Sequence, residues 1–232
     1  MVRRRWVSRF LGAEDGAAMV EFTIVMTLLF IVVFGFVDFG FALYQWNAAS
    51  KAVQLGARLA AVSHPVACGL TAFTGVDDTA CADTGATGCV GGPMAGSYES
   101  ECNGATGTCS GFGTFDPAAF NRIIYGSDWQ QQGCGNVLPG DRPGMCDLFW
   151  RIGPENVVIE YLVSGLGFAA RPGGPVPTIQ VRLDGLTFDF FFLGGLLRDF
   201  DFVERINIPP MTSTVTGEDL DTTWPGTAST CP

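Results

Sequence analysis

One stretch restricts the folds open to this 232-residue chain more than any other. Between Ala17 and Tyr44 the only charges are Glu21 and Asp38, one towards each end, and Phe22 to Val37 carries none. A helix needs about 20 mostly apolar residues to cross the hydrocarbon of a bilayer, so this stretch predicts one membrane-spanning helix. Composition agrees: 47% of residues are hydrophobic against 16% charged, an apolar balance for a soluble domain.

The residues that follow extend the element. Gln45 to Val62 is rich in alanine (Ala48, Ala49, Ala52, Ala57, Ala60, Ala61) and contains no proline before Pro65. Alanine has the highest intrinsic helix propensity, so the helix is predicted to continue from Ala17 to Ser63, roughly 70 Å at about 1.5 Å per residue. Pro65 and then Gly69 end it. It is a stalk as well as an anchor.

Two independent features orient the chain. Arg3, Arg4, Arg5 and Arg9 precede the apolar stretch, while only Lys51 and Arg58 lie just beyond it, and basic residues accumulate on the cytoplasmic side of a span. All eight cysteines (68, 81, 89, 102, 109, 134, 146 and 231) lie on the other side, which points to disulfides in an oxidising compartment, in pairings the sequence leaves open. The N-terminus is therefore placed in the cytoplasm. A cleaved secretory signal is the second reading, but the apolar stretch exceeds a usual signal core, no Ala-x-Ala-like site follows it, and Asp38 interrupts it.

The remaining chemistry is sparse. A net charge of −10 without a basic stripe beyond the N-terminus argues against nucleic acid, whose phosphates require clustered cations. With no Cys-x-x-Cys and the single histidine His64, a structural zinc site is not expected. Asp77, Asp78 and Asp83 lack the spacing of a calcium loop. Gly165-Leu166-Gly167-Phe168-Ala169-Ala170 imitates a dinucleotide motif, but Arg171-Pro172-Gly173-Gly174-Pro175 follows where a helix would have to start. His64 has no serine elbow to serve. No catalytic residue, cofactor, metal or small-molecule substrate is assigned.

The outer part reads as α+β. Gly69 to Gly113 is dense in Gly, Thr, Ala and Ser and is expected to be irregular and stapled by disulfides. Asp116 followed by Pro117 announces a short helix with an N-cap and a proline in its first turn. Strands are predicted at Val157–Val163, Thr178–Leu183, Leu186–Leu193, Phe200–Ile208 and Met211–Thr216. Phe188, Phe190, Phe191, Phe192, Phe200 and Phe202 are assigned to the core of an antiparallel sheet packed on the stalk helix, with any exposed part of the cluster marking a partner interface.

The string Gly16-Ala17-Ala18-Met19-Val20-Glu21-Phe22 resembles the processing site of type IV prepilins, and residues 16–61 resemble the TadE-like family of pseudopilins found with Flp (tight adherence) pilus machinery. The further hallmarks are Asp38-Phe39-Gly40 and Ala52 to Ala61 with Gly56-Ala57-Arg58. Where many relatives have a proline, this chain has Thr27, so a straighter helix is expected. The resemblance implies cleavage after Gly16, which leaves Ala17 as the new N-terminus and Glu21 as the fifth residue. It also implies assembly through Glu21, Phe22 and Asp38. The partners implied are membrane lipid, a prepilin peptidase and other pilin or pseudopilin subunits, at a bacterial inner membrane with the C-terminal region in the periplasm. Of the acids, Asp38 is read from its position as a solvated residue at the far interface.

The domain organisation expected is a basic leader at 1–16, a transmembrane and stalk helix at 17–63, a Gly/Thr/Cys-rich irregular region at 64–150 and an antiparallel β region at 151–232. The fold class is a pilin-like α+β arrangement, and the function a minor pilin-like subunit of pilus or secretion-system assembly. The alternative is an anchored or secreted disulfide-rich binding module such as an adhesin; a periplasmic hydrolase built on His64 ranks third.

Overall fold

The computed structural model describes residues 14–76, 85–94, 96–128, 130, 133–135, 137–172, 174–192, 194, 206–217 and 220. The basic leader up to residue 13, Cys81, Cys231 and the stretch 195–205 lie outside the described residues. The chain forms an α+β fold: a long apolar N-terminal helix followed by a small antiparallel sheet of five strands. It divides into two compact units. The described residues of the first are 14–44, 188–192, 194 and 206; the second takes the rest from Gln45 to Thr187 and from Asn207 onward.

Helix α1 runs without interruption over Glu14–Val62, through Thr27, and ends two residues before His64 and three before Pro65, as its alanine content and the proline dictate. Its two parts differ in burial. Within the second unit, Gln45, Ala48, Ala49, Ala52, Val53, Gly56, Ala57 and Ala60 are buried, a stripe at i, i+3, i+4 and i+7 that marks the inward face of an amphipathic helix. Small side chains along that stripe let other elements approach closely. Met145 lies against Gly56, in the space that a Cβ there would occupy.

The strands are β1 (Tyr98–Asn103), β2 (Thr108–Cys109), β3 (Val157–Val163), β4 (Thr178–Leu183) and β5 (Met211–Thr216). They lie in the order β2-β1-β3-β4-β5, each pair antiparallel. β3 is central and its inward residues Val157, Ile159, Tyr161 and Val163 are buried, as are Ile179, Val181 and Leu183 of β4. The outward face carries Glu99, Glu101, Glu160, Gln180 and Arg182. Glu160 stands directly opposite Glu101. Burial pushes the Glu160 carboxyl above the usual range, Glu99 raises it further by its charge and a hydrogen bond, and Glu101 adds to this against the opposing pull of Arg182. Arg182 reaches Glu101 at 3.7 Å, a half-exposed pair of small energetic weight.

Two helices complete the second unit. α2 spans Pro117–Tyr125; the Asp116 carboxylate accepts the N–H groups of Ala118 at 2.8 Å and Ala119 at 3.2 Å, so the predicted cap and first-turn proline are both present. Ala119, Phe120, Ile123 and Ile124 are buried along one face. Gly126 closes the helix at φ 60° and donates its N–H to Arg122. Any side chain there would strike the Arg142 carbonyl, so glycine is required by conformation and by space. α3 is the single turn Met145–Leu148. Asp147 accepts from Gly144 N–H at 2.7 Å and from Gly135 N–H at 2.6 Å, beside the Cys134–Cys146 disulfide.

Three expectations are corrected. The stretch from Gly69 to Gly113 was expected to be irregular, yet it supplies β1 and β2, joined at the register pair Cys102–Cys109, which is itself a disulfide. Cys68 and Cys89 are disulfide-bonded as well, and no described cysteine is free. The described part of the predicted Leu186–Leu193 strand, residues 186–192, is not a strand: only Thr187 pairs, in an isolated bridge to Asn207, and 188–192 is irregular. Likewise 206–208 holds no strand beyond that bridge, and the rest of the predicted Phe200–Ile208 strand lies outside the described residues. Finally, Phe188 and Phe190 are only half-buried, and Phe191 and Phe192 are exposed. These aromatics do not form the sheet core, and Phe200 and Phe202 lie outside the described residues.

Candidate functional site

The sequence-predicted residues Gly16, Ala17, Glu21, Phe22 and Asp38 all lie on α1, in the first unit. From Gly16 to Tyr44 most of the helix is exposed, Asp38 excepted: Met19, Phe22, Leu28, Val32, Phe36 and Phe39 are exposed on successive sides. Its most apolar 18-residue window is wholly uncovered. A helix apolar all round must be covered by lipid or by other protein, and this one is long and apolar enough to cross a bilayer. Two hydroxyls inside it are already satisfied. Thr23 and Thr27 donate their hydroxyls to the carbonyls of Met19 and Thr23, both at 2.7 Å, the i−4 bond that lets threonine sit in an apolar helix.

Gly16, Ala17 and Glu21 occupy the first turns and are exposed. A side chain built on Gly16 would meet nothing within 4 Å. Glu21 lies four residues beyond Ala17, about 6 Å along the axis. Phe22 is 64% exposed. The structure brings none of these four into contact with another element in any interaction described for them.

Asp38 is different, and the expectation of a solvated acid is overturned. Its side chain is fully enclosed. Oδ1 accepts the backbone N–H groups of Phe191 at 2.7 Å and Phe192 at 3.0 Å, and Oδ2 accepts Phe192 N–H again at 3.1 Å. One turn before Asp38, the Phe34 ring stacks on Phe192 with centroids 4.3 Å apart, and Phe30 stacks on Phe34 at 5.8 Å. Burying a carboxylate is costly unless it is hydrogen-bonded, and charge-assisted bonds to successive amides are the strong kind. The aspartate thus holds an irregular segment of chain against the apolar helix. Sequence reasoning singled out Asp38 but missed its partner, because two backbone amides 153 and 154 residues away carry no side-chain signature.

The geometry is that of an apolar helix able to cross a membrane, with one enclosed carboxylate near its far end. Among the described residues no group of three or more His, Cys, Asp or Glu is arranged to hold a metal. His64 is half-buried, with Nδ1 3.2 Å from the Pro65 carbonyl. Gly165 to Ala170 forms a loop between β3 and β4, without a helix start.

Comparison with known families finds one that bears on this helix: the model of the TadE-like protein family matches residues 16–58. No curated protein and no solved structure matches the chain. The family is one of pilus-assembly components, and a segment of this type on an apolar helix fits a membrane subunit related to the Tad pilus. From Gly16 to Arg58, through the bare helix and the first turns of its alanine stripe, this chain carries a TadE-like segment.

Proposed function

We propose that this chain is a TadE-like pseudopilin, a minor subunit that takes part in building a Flp-type pilus or related secretion assembly through its N-terminal helix. It inserts into the bacterial inner membrane with the N-terminus in the cytoplasm and the disulfide-bonded unit in the periplasm. A prepilin peptidase cuts after Gly16, and the mature helix then packs beside those of other pilin-like subunits.

One observation carries this reading: the TadE-like match covers a helix whose apolar surface is uncovered and whose only charge between Gly16 and Val37 is Glu21. A carboxylate within a membrane helix calls for a partner. Cleavage would create a positive amine on Ala17, one turn from Glu21, and an acid near a helix N-terminus is further favoured by the backbone dipole. In an assembly, that carboxylate is equally placed to meet the N-terminal amine of a neighbouring subunit.

The experiment is mass spectrometry of the chain recovered from the membrane fraction. A mature species that begins at Ala17, lost in Gly16→Ala and retained in Glu21→Ala with assembly impaired, supports the proposal. A chain that still begins at Met1 within working assemblies overturns it. Cleavage between Ala42 and Ala49 transfers support to the reading as a secreted binding module.

A further inference from the structure

We propose that Phe191 and Phe192 form a second membrane contact, an aromatic tip held by Asp38 against the spanning helix and embedded among lipid acyl chains. This rests on the reading that α1 spans the bilayer.

Depth is the first argument. With Glu21 at one headgroup level, Phe34 lies thirteen residues on, about 20 Å along the helix, within a hydrocarbon core of about 30 Å. Phe192 is stacked on Phe34 at 4.3 Å, so its ring shares that depth. Asp38 lies only about 6 Å further along, still short of the far boundary.

Backbone satisfaction is the second. Irregular chain is tolerated at membrane depth only if its N–H and C=O groups find partners inside the protein, and an intramembrane acid is tolerated only if it is paired. Here the amide part of the first requirement meets the second: the N–H groups of Phe191 and Phe192 both end on the Asp38 carboxylate.

Exposure is the third. Phe191 is 75% exposed, in the same unit as the bare helix and continuous with its apolar surface. The ring packs edge-on against Phe192 with centroids 5.3 Å apart, and otherwise faces outward. Asp189, exposed two residues earlier, limits the embedded part to the tip, because a carboxylate in contact with lipid would be expelled towards the headgroups.

The test is photocrosslinking of the full-length chain in vesicles of phosphatidylethanolamine and phosphatidylglycerol, with p-benzoylphenylalanine placed singly at Phe36, Phe191 or Tyr98. Phe36 is 72% exposed on the spanning helix, and Tyr98 lies on β1 of the other unit. The expected result is a mass increase of one phospholipid at positions 36 and 191 and none at 98. Lipid adducts at 36 with none at 191, or with products at 191 linked only to a second protein chain, overturn the tip while leaving the span intact. Failure to label lipid at 36 overturns the spanning helix itself, and the proposal with it.

Discussion

The Tyr161 hydroxyl accepts the Val66 backbone N–H at 3.0 Å, across 95 residues of sequence. Tyr161 is fully buried at the centre of β3, and Val66 follows the end of α1 within the same unit, so the bond ties the exit of the helix to the sheet. Tyr161→Phe is expected to leave that amide unsatisfied and to cost about 1–3 kcal/mol, seen as a lower denaturant midpoint with an unchanged slope. Burial, the largest cause, holds the phenol above its ordinary range; the Val66 bond opposes this and Asp116 adds to it. A folded-state pKa that is raised leaves stability whole below the unfolded value of about 10. Above it the unfolded chain ionises first, so stability falls as pH rises, and this alkaline loss should be weaker in the phenylalanine variant.

Asp38 should control the order of the aromatic tip. Hydrogen bonds to a charged group contribute about 1.5–3 kcal/mol, so Asp38→Ala is expected to speed amide exchange at Phe191 and Phe192 about tenfold to a hundredfold. Asp38→Asn, which keeps one acceptor oxygen, should fall between the two. Hydrogen exchange read on peptides covering 188–192 decides it. Equal protection in all three proteins would remove the aspartate from any positioning role.

The Asp116 cap is a local device with a separable cost. Asp116→Ala should destabilise the second unit by about 1 kcal/mol, while Asp116→Asn should recover most of that. Thermal unfolding followed by far-ultraviolet dichroism checks both variants.

The Cys102–Cys109 bridge closes a short loop between paired strands. Replacing both cysteines by serine is expected to cost about 2–3 kcal/mol, on the view that the crosslink restricts the unfolded chain. Because β2 has only two residues and lies at the sheet edge, its amides should lose exchange protection first. Retained protection in β2 would mean that backbone pairing alone holds the strand.

Legibility differed sharply between elements, for physical reasons. α1, the Asp116–Pro117 helix start and strands β3, β4 and β5 were all readable, because each rests on contacts between neighbours in sequence: alanine propensity, a carboxylate capping amides two and three residues on, or alternation at period two. β1 was not readable. Its inward positions are Ser100 and Cys102, too small and polar to register as an apolar face, and a disulfide does there what side-chain burial does elsewhere. The phenylalanines of 188–192 alternate like a strand, and the pattern misled, since the surface they approach belongs to the apolar helix and not to the sheet.

By itself, then, the sequence determined a long helix, apolar at one end and alanine-striped at the other, together with where it stops and which residues cap or pair nearby, since those outcomes depend on interactions within a few residues. Only the tertiary structure decided that Asp38 is enclosed, that its partners are the amides of Phe191 and Phe192, and that Tyr161 meets Val66. Backbone N–H groups are the same in almost every residue, so a bond that uses one at long range leaves no mark in the order of side chains.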